Sequence, residues 1–188
     1  LERSSRAQPQ DRQLKLSLAT AYLRAGQNDK AVSLLSAMPR VEGETQRDQL
    51  LVTALAASKG PQAAREEMER IVAASPKDTS LLNLAAEFYG RERNFERARQ
   101  LLNAAVAVQP ANAITLLNLA RVEIADGNSA AARTAIQKAL AAEPGNATAQ
   151  LAQAEITLRS GDVAGAIPLL EQVRAGNASM LEPRLLLA

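Results

Sequence analysis

Small and apolar residues recur along this chain at helical spacing, and the recurrence itself repeats. Ala31, Leu35 and Met38 stand four and three residues apart. The same offsets separate Ala64, Met68 and Ile71, then Ala98, Leu102 and Ala105, then Ala132, Ile136 and Ala139, and finally Ala166, Leu170 and Val173. Offsets of four and three put each trio on one face of an α-helix. Each trio opens on alanine, whose small side chain lets a partner helix approach closely. That partner is predicted ahead of each trio, in helices carrying Leu18-Ala19 with Tyr22 and Leu119-Ala120 with Val122.

Polar residues and helix breakers punctuate the pattern. Asp11, Glu44, Asp78, Asn112 and Asn146 precede the first helices as candidate caps, four of them preferred cap types and Glu44 the weak one. Turns are marked by Gly26-Gln27-Asn28, Lys59-Gly60-Pro61, Gly90 to Asn94, Asp126-Gly127-Asn128 and Gly161-Asp162. Pro76, Pro110 and Pro144 stop the second helices. The result is five helix–turn–helix units, at 12–44, 45–78, 79–112, 113–146 and 147–180. Partial units are read at 1–11 and 181–188, and the chain is expected to be a piece of a longer array. Pro168, inside the last second helix, predicts a bend.

One word disagrees with this punctuation. LLNLA occurs at Leu81–Ala85 and Leu116–Ala120, 35 residues apart, while the prolines step by 34. The expectation is that the third unit lost a residue before its first helix and gained one in its turn, GRERN. Leu84, Ala85 and Phe88 would then face inward, with Asn83 equivalent to Asn118. This register buries a leucine; the competing one turns Ala85, Ala86 and Tyr89 inward.

The repeat resembles the tetratricopeptide repeat, a 34-residue helical hairpin. Unit four carries the motif at Leu116, Leu119, Ala120, Gly127, Ala132, Ile136, Ala139 and Pro144, and departs from it where Glu123 holds the aromatic place. Unit one keeps the aromatic as Tyr22. The resemblance implies an all-α, right-handed superhelical solenoid of antiparallel hairpins covering residues 1–188 as a single array. It also implies a non-catalytic protein–protein interaction module whose concave groove, lined by first helices, takes a peptide or helix. The Ala-, Gln- and Arg-rich style and the LEPRLLLA segment are more loosely similar to bacterial tetratricopeptide lipoproteins of PEP-CTERM/exosortase and exopolysaccharide systems. That similarity would place the chain in the periplasm or anchored at the outer membrane; the cytoplasm is the alternative.

Composition narrows the chemistry. With no Cys and no His, disulfides, cysteine nucleophiles and histidine acid–base catalysis are excluded. No cofactor, metal or catalytic residue is expected. A net charge of +2 and four aromatic residues argue against nucleic acid. No apolar run approaches the length of a membrane span. GDVAGA has two glycines but no strand before it, so the dinucleotide reading fails. The sequons at Asn146 and Asn177 fall where asparagine is expected as a cap.

The groove is expected to be lined by Asn83, Tyr89, Leu117, Asn118, Arg121, Leu151, Glu155 and Arg159. Asparagine can bond an extended backbone, and Arg121 can take a carboxylate or pair with Glu155 or Glu87. The lysine places of a chaperone-tail clamp hold Leu16, Gln49, Leu82 or Leu117, so the mixed groove suits an amphipathic helix or apolar peptide. A self-assembling scaffold, and a docking arm for an enzyme domain outside this chain, are the competing readings. The oligomeric state is open.

Overall fold

The computed structural model describes residues 11–176. Among them are ten α-helices and no strand. They are α1 (Arg12–Arg24), α2 (Asn28–Ser36), α3 (Gln46–Lys59), α4 (Pro61–Ala74) and α5 (Thr79–Arg91). Then come α6 (Phe95–Val108), α7 (Ala113–Ala125), α8 (Ser129–Ala142), α9 (Ala147–Arg159) and α10 (Val163–Gly176). The fold is all-α, built of helix hairpins. The chain forms two compact units, the first ending at Ala85 and the second starting at Ala86, within α5. The ends read from sequence as partial repeats, and the sequon at Asn177, lie outside the described residues.

In the first unit α1 packs on α2, α2 on α3, α3 on α4, and α1 reaches α3. In the second, α6 packs on α7, α7 on α8, α8 on α9 and α9 on α10. The trios read from sequence form the core of both: none of their residues exceeds 4% exposure, and Ala31, Ala64, Ala98, Ala132 and Ala166 are all at 0%. Alanine at those places leaves no room for a longer side chain, so helix–helix approach is set there.

The caps hold in detail. The side chains of Asp11, Asp78, Asn112 and Asn146 accept backbone N–H groups of the first turns of α1, α5, α7 and α9 at 2.8–3.1 Å. Glu44 caps nothing; it bonds Arg12 at 2.7 Å. Asn94, Asn128 and Asp162, read from sequence only as turn markers, cap the second helices α6, α8 and α10 in the same way. Helix α10 runs through Pro168 as one continuous helix.

The third repeat corrects the sequence reading. Ala85, Ala86 and Tyr89 are 0%, 1% and 4% exposed, while Leu84 and Phe88 are only half-buried. Helices α5 and α7 both have 13 residues and start 34 apart, at Thr79 and Ala113. The turns match too: Asn94 N–H bonds Tyr89 O at 2.9 Å as Asn128 N–H bonds Glu123 O at 2.8 Å. No residue was lost or gained. Arg93 adopts φ 60° where Gly127 has φ 83°, so a left-handed arginine fills the glycine place. Asn83 is therefore equivalent to Leu117, not to Asn118, and the repeated LLNLA is a coincidence of leucine-rich helices.

Candidate functional site

The first unit contributes Asn83 from the expected groove. It is half-buried, and its amide donates to Thr79 O at 2.7 Å, one turn back on α5.

The second unit holds the other seven residues. Three of them are core, not groove. Tyr89 is 4% exposed and meets Phe88 edge-on, with ring centroids 5.2 Å apart. Leu117 is 7% exposed and packs with Ala113, Leu116, Ala139 and Ala149, so it is wedged between α7, α8 and α9. Leu151, also 7% exposed, packs with Ala154 and Leu170. The next first helix, α9, closes on Leu117 through Ala149, while Leu151 is covered by Leu170 of α10 in its own hairpin. Asn118 and Glu155 are half-buried, and Arg121 and Arg159 are exposed.

Asn118 and Arg121 line a cleft of about 350 Å³. Its walls are Ala86, Glu87, Gly90 and Arg91 of α5 on one side, with Asn118, Arg121, Val122 and Ala125 of α7 on the other; Phe95 and Leu102 of α6 supply the floor. The floor is apolar, and the charged groups sit at the rim. Glu87 is held by Arg91 through an ion pair one helical turn apart. Among the described residues Arg121 has no carboxylate partner, and Glu155 has no cationic one. The pairing of Arg121 with Glu87 or Glu155 considered from sequence is thus not formed. An apolar slot with one uncommitted guanidinium at its edge can accept an apolar side chain beside an acidic group. The slot contains no nucleophile–base pair, and among the described residues no group of carboxylates is disposed to hold a metal ion.

Two charge networks escape the sequence reading. In the first unit, Arg40 bonds Asp48 at 2.8 Å, Asp78 at 2.5 Å and Ser75 Oγ at 2.9 Å. Arg47 adds Asp48 at 2.9 Å and Leu35 O at 3.1 Å. Arg40 lies in the segment that follows α2, which has nine residues where α4 has 14. Burial works against charge on Arg40, but Asp78 and then Asp48 outweigh it and raise its pKa. In the second unit, Arg99 of α6 grips Glu123 of α7 with two nitrogens, at 2.7 and 3.0 Å, and reaches Asp126 at 2.5 Å. Glu123, 4% exposed, stands in the aromatic place of the repeat, and Arg99 compensates its buried charge. Bonds to Glu123 and then Asp126 push the Arg99 pKa above its ordinary value. Each network joins different helices at no characteristic spacing, so only the register of the packed helices reveals it.

The sequence profile of the tetratricopeptide repeat matches residues 82–132 and 117–179, together just over half of the chain. The protein belongs to the tetratricopeptide repeat family. Solved structures agree on the fold. A fragment of MamA (41-end) from Desulfovibrio magneticus RS-1 is 20% identical with a TM-score of 0.65, covering 90% of this chain and 96% of that one. Pseudomonas aeruginosa PilF is 20% identical with a TM-score of 0.66, covering 93% and 80%. The repeats of a putative kinesin light chain from Podospora anserina are 25% identical with a TM-score of 0.65, covering 88% and 94%. No curated protein matches the chain. Tetratricopeptide domains bind proteins or peptides, and the fold is typical of interaction modules. No helix among the described residues is long and apolar enough to cross a membrane.

Proposed function

We propose that this protein is a non-catalytic interaction module that docks a partner peptide or helix in the cleft between α5 and α7. The observation that carries the reading is the apolar slot over Phe95 and Leu102 with Arg121, unpaired among the described residues, at its rim. An apolar anchor residue would fill the slot, and an acidic neighbour one turn away on the partner would meet Arg121. Near-neutral net charge, +2, favours protein over nucleic acid as the partner. Placement in a bacterial envelope or exopolysaccharide system rests on the similarity of style alone.

The test begins with peptides selected from a displayed helix library on the parent protein. Their affinity is then measured against Ala125→Trp, which fills the slot, and Arg121→Glu, which reverses its rim. Both positions are exposed, so circular dichroism should be unchanged. Each substitution is expected to weaken binding at least about tenfold, or ~1.4 kcal/mol. Selected peptides that bind both variants as tightly as the parent would show that the partner docks elsewhere.

A further inference from the structure

Arg99 and Arg133 occupy the same place in successive repeats, 34 residues apart on α6 and α8, but their surroundings differ. Arg99 is saturated by Glu123 and Asp126 of the following helix and its cap. The places equivalent to those two acids, again 34 residues on, hold Thr157 and Ser160. Both carboxylates are therefore missing where Arg133 would meet them. Arg133 is exposed and has no partner among the described residues.

The vacated space is a cleft of about 210 Å³ between α8 and α9. Gln137 and Gln153 line it with Arg133, and neither side-chain amide has a partner among the described residues. The hydroxyls of Thr157 and Ser160 donate to Gln153 O and Thr157 O of their own helix, at 2.8 and 2.7 Å. Asp162, the one acidic group on the lining, accepts the Gly165 N–H at 2.8 Å as the cap of α10 and makes no pair with Arg133. The available groups are therefore mainly N–H donors around a guanidinium, which calls for an acceptor with negative charge.

We infer that this cleft is a second binding site, distinct from the slot above Phe95, and that it takes the side-chain carboxylate of a glutamate on a partner protein. The template is internal: one repeat earlier, the same arginine position already holds a glutamate with two nitrogens. The ligand supplies in trans what Glu123 supplies in cis.

The probe is N-acetylglutamate amide, whose only carboxylate is its side chain, titrated while the Arg Nε–Hε resonances are followed by NMR. N-acetylglutamine amide, without charge, N-acetylglutamine, with a chain-terminal carboxylate, and inorganic phosphate are the comparison arms. A saturable shift at Arg133 with the glutamate probe is expected, at least about fivefold tighter than with any other arm. Arg99, already held, should not move. Thr157→Glu with Ser160→Asp rebuilds the occupied arrangement and should abolish the response. Arg133→Gln, at an exposed position, should abolish the accompanying shifts of the Gln137 and Gln153 amides, and it serves if the double variant does not fold. Absence of a saturable shift, tighter binding of phosphate or of the chain-terminal carboxylate, or a response that survives either variant would overturn the assignment.

Discussion

At the scale of single residues, this protein shows how one position can carry different solutions in successive repeats. Arg93 and Gly127 occupy the same left-handed turn place, at φ 60° and 83°. Left-handed backbone costs a residue with a Cβ about 1 kcal/mol. Gly127→Ala should therefore lower stability by roughly that amount, measured as a shift of the urea midpoint at constant slope. Arg93 offsets part of the same cost by lying over the Phe95 ring, 5.4 Å from its centroid.

Asp78 gives a prediction with pH. Burial alone would raise its pKa, but the Gly43 N–H, then Arg40 and the Leu81 N–H, hold it below the ordinary 3.8. The unfolded chain then takes up the proton first as pH falls. The stability this carboxylate contributes is complete above about pH 4 and is lost progressively below it. Asp78→Asn should be less stable than the parent at pH 7, and the gap should narrow on acidification through that range. Removing Arg40 is harsher, because Asp78 remains buried without its cation and Asp48 keeps only Arg47. Arg40→Ala should cost about 3 kcal/mol.

At the scale of elements, alanine-led second helices are the most legible feature, because a four-three apolar spacing has one structural meaning and the trios are all core. First helices are harder. Their leucines sit on faces that look exposed in a single hairpin but are covered when the next first helix arrives. Leu117 looks like a groove residue in the sequence for that reason, Leu151 because its cover comes from Leu170 on the second helix, and Tyr89 because the repeated LLNLA suggests a register one residue out. The slot itself is half legible: Asn118 and Arg121 are found by position, while Phe95 and Leu102 of the floor come from the second helix, which a first-helix groove does not include. Packing predictions follow from the trios. Ile136, 1% exposed, should cost about 3 kcal/mol when changed to Ala. Ala98→Leu should also destabilise, by about 1–3 kcal/mol, since its site has no spare volume. Asn112→Ala removes the 3.0 Å cap on α7 and should cost about 1 kcal/mol.

At the scale of the whole molecule, two compact units each bury their own core, and the helices pack mainly on their sequence neighbours. Stability in such an array is close to a sum of repeat and neighbour terms. The effect of Ile136→Ala should accordingly stay local. Amide hydrogen exchange should speed up in α7, α8 and α9 and remain near the parent rate in α1 to α4. The family places the chain among interaction modules; the proposed docking of an apolar anchor beside an acidic group in the slot goes one step further. Neither the slot's floor nor the Arg99–Glu123 pair could be read without knowing which residues of adjacent repeats face each other.

The most direct test of the docking account is an amide chemical-shift map of the protein with a bound, library-selected helix. The account predicts perturbations concentrated at Glu87, Gly90, Asn118, Arg121 and Ala125, the two walls of the slot. Perturbations that spare these residues and gather instead around exposed apolar side chains such as Ile114 and Val163 would contradict it.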